Sequence, residues 1–335
     1  MQPYADQLAA VEAAVKHGRG TISMPTGTGK SFVIRLLIER FKLRTLVVVP
    51  SLEIKRQMTE TLAGLPNVEI HNIDSLLSKN RTDFDMLIID EAHHTAAKTY
   101  QKLNKKAWVN IYYRFFLTAT PFRNDNEETL LFESIAGEVI YKLNYRDAIS
   151  RGYIVPVDAY YIETPKQATE AYTYAQVYSQ LVVRNAIRNG ILATIIRNLK
   201  DSGVSTLILV KEIVHGELLS TLTGVPFVNG EDEYSRRYIA DFNSKALGCL
   251  IGTIGVMGEG VDSRPCEVVV IAGLGKARSQ FMQQVGRAVR RYEGKESAKV
   301  ILIQDKSHKF LTRHFRAQCA ILFEEYGIKP TKLEE

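Results

Sequence analysis

The amino-acid sequence predicts an α/β protein made of two tandem, doubly wound parallel sheets. Three observations carry that expectation. Short β-branched runs alternate with helix-length stretches through both halves of the chain, as strand–helix–strand units require. The runs themselves, such as Thr45-Leu46-Val47-Val48-Val49 and Thr206-Leu207-Ile208-Leu209-Val210, are apolar throughout, which fits strands covered on both faces. The length of 335 residues is enough for two cores of ordinary size.

In the first half a helical pattern begins at Gln7-Leu8-Ala9-Ala10-Val11, and Gly20-Thr21-Ile22-Ser23 follows as a strand. Met24-Pro25-Thr26-Gly27-Thr28-Gly29-Lys30-Ser31 joins that strand to a helix over 32–41, where a phosphate-binding loop belongs. Gly27 and Gly29 permit turns that aim successive N–H groups at one anion, and the helix starting near Lys30 adds the positive end of its dipole. Lys30 supplies a point charge for the β and γ phosphates, and Ser31 a hydroxyl for Mg²⁺. Met24 stands where the general pattern has its first glycine, so a plain glycine-rich turn is the competing reading of the loop alone.

Strand 45–49 ends at Pro50; a helix over 52–62, a strand over 68–73 and a short helix from Asp74 follow. The next strand, Met86-Leu87-Ile88-Ile89, runs into Asp90-Glu91-Ala92-His93. Two acids at the carboxyl end of a buried strand lie where ligands of open α/β sheets bind. Asp90 suits the Mg²⁺ shell and Glu91 the base for an attacking water. Either acid alone also reads as a solvated turn; the phosphate loop upstream weighs for a hydrolytic site. His93 and His94 have no third ligand at useful spacing, so His93 is assigned to coupling between sites and His94 to the surface. A strand over 112–117 ends in Thr118-Ala119-Thr120-Pro121-Phe122-Arg123, whose hydroxyls can bond neighbouring carboxylates or simply mark a strand exit. Lys105-Lys106-Ala107-Trp108 reads as a solvated helix face packed by one tryptophan rather than a base-stacking platform.

Pro156 and Pro165 bracket a crossing, which puts the junction near residue 157, with domains 1–157 and 158–335. The stretch 169–199 reads as one long helix, with Tyr172, Tyr174 and Tyr178 as packing. Strands follow over 206–210, 226–228, 249–251 (leading to Thr253), 267–271 and 300–303, with helices over 212–222 and 234–242. No phosphate loop recurs, so one site is expected to be shared by both domains. Gly258-Glu259-Gly260-Val261-Asp262 forms a glycine-rich turn that brings Asp262 to the sheet edge. Gln283, Arg287 and Arg290, at i, i+4 and i+7, share one helix face. Paired guanidiniums suit polyphosphate chemistry, with a solvated basic face as the alternative. Gly286 argues against that alternative, since glycine inside an exposed helix costs about 1 kcal/mol.

A net charge of +6 favours an acidic polymer as partner without singling one out. No apolar run reaches the roughly 18 residues of a membrane span, and Met1-Gln2-Pro3-Tyr4-Ala5-Asp6 is no signal peptide, so a cytosolic protein is expected. Cys249, Cys266 and Cys319 lack the paired spacing of a zinc site.

Taken in order and spacing, these motifs resemble a superfamily 2 helicase core of the DEAH/DExH type over nearly the whole chain. Gln7 is similar to the adenine-reading glutamine, Thr26 to Ser31 to motif I (which in the superfamily commonly lacks the first glycine), and Pro50 to Gln57 to motif Ia. Asp90 to His93 resembles motif II, Thr118 to Thr120 motif III, Val210 to His215 motif IV, Thr253 to Asp262 motif V, and Gln283 to Arg290 motif VI. Thr-Ala-Thr-Pro-Phe-Arg and Gly-Arg-Ala-Val-Arg-Arg look more like DNA-directed members than DEAD-box RNA helicases, with UvsW-type phage helicases and RadD-like proteins closest in look.

The resemblance implies two RecA-like domains that bind ATP and Mg²⁺. It puts Gln7, Thr26, Gly27, Thr28, Gly29, Lys30, Ser31, Gly260 and Asp262 on the nucleotide, and Ser31 and Asp90 on the metal. Lys30, Asp90, Glu91, Arg287 and Arg290 become catalytic, and His93, Thr118, Thr120 and Gln283 couple the sites. Pro50, Ser51, Lys211 and Thr253 line a nucleic-acid track. The implied activity is ATP-driven movement on DNA, single-stranded, forked or branched, in recombination or repair. Duplex translocation, annealing and RNA unwinding stay open.

Overall fold

The computed structural model describes residues 2–76, 83–94, 98–106, 108–120, 126–230, 234–258, 266–273, 275 and 277–333. Two compact units follow one another, Met1–Ala148 and Ile149–Glu335.

The first unit holds strands β1 (Arg19–Ser23), β2 (Thr45–Val49), β3 (Val68–Asn72), β4 (Met86–Ile89), β5 (Tyr113–Thr118) and β6 (Val139–Lys142). They form one sheet in the order β3-β2-β4-β5-β1-β6, and every pairing is parallel. The all-apolar runs are the central strands: every residue of β2 and β4 is buried, as two covered faces demand. Because β4, β5 and β1 are neighbours, the residues after Ile89, Leu117 and Ser23 emerge side by side at one sheet edge. Trp108 is 1% exposed in a core with Leu46, Leu87, Phe116 and Phe132, while Lys105 and Lys106 face solvent.

The second unit contains β7 (Val157–Thr164), β8 (Thr206–Val210), β9 (Phe227–Val228), β10 (Cys249–Thr253), β11 (Val268–Ile271), β12 (Ala298–Asp305) and β13 (Thr331–Lys332). Their order is β13-β7-β12-β11-β8-β10-β9, again all parallel. The units divide at 148/149 rather than near 157. The Val155 amide donates to the Val289 carbonyl at 3.0 Å and the Pro156 carbonyl accepts from Ala298 at 2.8 Å, so the segment before β7 is already bonded to the second sheet.

Where one helix was expected over 169–199, the structure has three pieces. Thr173 caps a single turn, Tyr174–Val177, which widens into a π-helical turn, Tyr178–Val183. The chain then breaks, and Asn185 caps Ala186–Asp201 by accepting from the Arg188 amide at 3.1 Å. Side-chain oxygens that satisfy the first free amides favour a new start over continuation. Helices Asn126–Ala136 and Lys309–Tyr326 and strand β13 were not anticipated. Among the described residues, no helix is long and apolar enough to cross a membrane.

Candidate functional site

The phosphate loop leaves β1 at Ser23 and enters helix Lys30–Phe41 at Gly29. Gly27 and Gly29 adopt φ of +90° and +80°, the left-handed conformations that glycine alone takes without strain. Thr28 closes the loop on itself: its hydroxyl donates to the Pro25 carbonyl at 2.8 Å. Gln7, 4% exposed on helix Ala5–His17, grips the loop from outside. Its Nε2 donates to the Thr28 carbonyl at 3.0 Å and its Oε1 accepts from the Tyr4 amide at 2.9 Å. A Cβ on residue 29 would lie 2.5 Å from that Nε2. Gly29 is therefore required twice, by its backbone and by Gln7. Thr26 and Ser31 are half-buried at the two ends of the loop.

The acidic pair stands two strands away. Asp90, 6% exposed, accepts from the Glu91 amide at 3.0 Å, and Glu91 itself sits at φ +46°, rare for a residue with a side chain. Lys30 Nζ lies 3.7 Å from Glu91 Oε1 and donates to the Met24 carbonyl at 3.5 Å; His93 Nδ1 lies 3.3 Å from Glu91 Oε2. Burial, and then the neighbouring Glu91 carboxylate, raise the Asp90 carboxyl to about 7, opposed by Lys30 and by the Glu91 amide. Two carboxylates therefore stand within reach of the Lys30 ammonium. Paired carboxylates beside a loop of amides and a hydroxyl at Ser31 fit a divalent cation held with phosphate. On β5, between them, the Thr118 carbonyl accepts from the Met24 amide at 3.0 Å and the Thr118 hydroxyl accepts from the Thr120 amide at 3.1 Å. Thr118 thus fastens the loop to its neighbouring strand. Pro121 to Arg123 lie outside the described residues, as do Gly260 and Asp262 of the second half.

In the second unit Arg287 is 4% exposed on helix Arg278–Ala288, and Gln283 is half-buried. Arg290 does not share their helix face as expected, because the helix ends at Ala288. Lys295 donates to the Ala288 and Arg290 carbonyls, satisfying the acceptors that a further turn would have used. Thr253 closes β10 almost buried, and Lys211, exposed after β8, rests its ammonium over the rings of Tyr174 and Tyr178 at 5.2 and 5.0 Å. In the first unit Pro50 and Ser51 are half-buried after β2, and Ser51 caps helix Leu52–Thr61.

Sequence reasoning passed over three buried polar residues. Asp6 accepts from the Tyr141 hydroxyl at 2.6 Å and seats the helix that carries Gln7. Arg188 and Asp305, 5% and 2% exposed, approach to 3.8 Å. The signal for Arg188 was a charge in line with Leu192 and Ile196 on the apolar face of its helix.

The chain matches the family of type III restriction enzyme res subunits over residues 1–83 and 67–123. It is 28% identical over 302 residues to a Rad25 protein of Halobacterium salinarum named as a DNA 3'-5' helicase, covering 81% of this chain and 49% of that one. It is 29% identical over 154 residues to the DNA 3'-5' translocase XPB2 of Sulfurisphaera tokodaii, 41% of this chain and 34% of the relative. The chain thus spans about half or less of the length of these relatives. An HsdR-subunit fragment of a type I restriction enzyme from Vibrio vulnificus aligns with a TM-score of 0.75 over 99% of this chain and 68% of that chain; at 21% identity it speaks to the fold alone. With two all-parallel sheets, the first of which carries the two-glycine loop and the acidic pair, the chain is thus similar in sequence to proteins named as a DNA 3'-5' helicase and a DNA 3'-5' translocase.

Proposed function

We propose that this core hydrolyses ATP and spends the energy moving along nucleic acid, DNA in preference to RNA, as a helicase or translocase. The observation that carries the proposal is the convergence, at three adjacent strand ends of one unit, of a two-glycine loop, a buried lysine and a pair of acids, Asp90 buried and Glu91 half-buried. The loop amides and Lys30 bind the phosphates, and Gln7, locked to the loop, reports what the loop holds. Ser31 and Asp90 hold Mg²⁺, which when bound neutralises phosphate charge. Glu91, held between Lys30 and His93, orients the attacking water and accepts its proton. Stabilising charge on the transferred phosphoryl group is the role assigned to the guanidinium of Arg287, with Arg290 as a second. Lys211, Thr253, Pro50 and Ser51 meet the nucleic-acid backbone.

ATP turnover measured side by side with single-stranded, duplex and forked DNA and with RNA tests this. Stimulation by DNA is the expected result; no turnover with any of them refutes it. Duplex translocation without strand separation is a second reading, supported by the relative named as a translocase. Triplex displacement against forked-duplex unwinding separates the two.

A further inference from the structure

In the second unit, the end of β8 is bonded to the turn that leads into the arginine-bearing helix. The Ala272 and Gly273 amides both donate to the Leu209 carbonyl, at 3.0 and 3.3 Å, two residues before Lys211. Lys211 in turn covers the ring of Tyr178, which is 2% exposed and opens the π-helical turn Tyr178–Val183. Such wide turns are rare and recur at functional sites. Burial raises the Tyr178 phenol above its ordinary pKa, an effect that Arg188 and the Lys211 backbone N–H partly oppose.

That hydroxyl occupies the place of a side chain on residue 273. A Cβ there would meet Tyr178 Oη at 2.3 Å, whereas the next atoms, Tyr178 Cζ and His215 Nδ1, lie at 3.4 and 3.5 Å. Arg188 Nη2 donates to the Ala272 carbonyl at 2.7 Å, and Arg188, Tyr178 and Gly273 line one cavity. Arg188 Nε and Asp305 Oδ2, both buried, have no hydrogen-bond partner among the described residues. A charge kept here without full satisfaction is better explained by what it holds than by packing.

We propose that Tyr178 and Arg188 are positioning residues that together hold the Ala272-Gly273 turn, so that nucleic acid engaged at Lys211 sets the placement of helix Arg278–Ala288 and its Arg287. This rests on the motor reading above and deepens it, naming the route inside the second unit from track to guanidinium. Motion of the strand end passes to the turn through the two amides on Leu209, and the phenol hydroxyl transmits it without slack.

The test is the ratio of ATP turnover with and without single-stranded DNA, recorded with thermal unfolding of each variant. Gly273→Ala forces the hydroxyl or the turn aside, and is expected to keep the basal rate while stimulation falls at least about five-fold, the low end of site-to-site coupling. Tyr178→Phe removes the obstructing atom, so Gly273→Ala/Tyr178→Phe regains parental stimulation. Arg188→Lys keeps a cation opposite Asp305 but loses the bond to Ala272, and should also lower stimulation at constant basal rate. Undiminished stimulation in Gly273→Ala, or no recovery in a folded double variant, overturns the inference. If Gly273→Ala does not fold, the Arg188→Lys ratio decides in the same way. A parental protein whose turnover ignores nucleic acid refutes the motor reading and this inference with it, whereas a responsive parent with equally responsive variants refutes this inference alone.

Discussion

Gly29→Ala isolates the grip of Gln7 on the phosphate loop, because the fold supplies a matched control. Gly64 has nearly the same φ, +82° against +80°, but nothing within 4 Å of its missing Cβ. Alanine at either position meets left-handed strain of about 1–2 kcal/mol. At residue 29 alone the new methyl collides with Gln7 Nε2 at 2.5 Å. The amide is held at both ends and 4% exposed, so it can yield only by abandoning the Thr28 carbonyl, which costs about 1–3 kcal/mol more. At about 2–4 °C per kcal/mol, Gly29→Ala should melt roughly 2–12 °C below Gly64→Ala. Trp108 is the single tryptophan and is buried in the first unit, so its fluorescence follows the melting of that unit. Displacing the loop amides should also weaken ATP binding at least about ten-fold, equivalent to 1.4 kcal/mol, with Gly64→Ala unchanged. Adding Gln7→Ala removes the colliding atom, so the pair should be less damaging than the sum of its parts. Equal melting and equal ATP affinity in the two glycine variants would show that Gln7 does not brace the loop.

Glu91→Gln should bind ATP as the parent does yet lose about 10²–10⁴ in turnover, read by nucleotide titration beside steady-state rates. Arg287→Ala should lose about 10³–10⁵ in stimulated turnover with ATP affinity nearly kept; parental turnover would remove it from the site. Burial raises all three thiols, Cys266 to about 12, and Cys319 is the most exposed, so a thiol reagent at pH 8 should mark Cys319 first and Cys249 and Cys266 only on unfolding. Burial, and next to it Arg188, lower the His215 imidazole to about 3, so the unfolded chain takes up a proton between about pH 6.5 and 3 that the native one refuses. Its contribution is fully present above pH 6.5 and declines by at most about 1.4 kcal/mol per unit below it. Urea unfolding of His215→Asn against the parent from pH 7 to 4 should show the shallower acid decline in the variant.

The parts of this protein that were legible in the sequence are those whose chemistry is local. Strands buried on both faces need unbroken apolar runs, so β2, β4 and β8 announce themselves. A loop that turns its amides on an anion needs glycine where φ is positive, so Gly27 and Gly29 stand out beside Lys30. The acids at Asp90 and Glu91 follow from strand polarity once the sheet is parallel. Helix Lys309–Tyr326 was legible too, from Leu311, Phe315 and Leu322 at helical spacing, although it went unread. What depended on chain crossing was hidden. The Arg278–Ala288 helix stops short of Arg290, and Lys295, beyond its end, takes the carbonyl of its last residue, Ala288. Gln7 reaches Thr28 across 21 residues and Arg188 meets Ala272 across 84. A residue's own preferences record whether it suits a strand, a turn or an interior; which partner shares that interior is set by how strands are ordered in the sheet, and no short window of sequence contains that order.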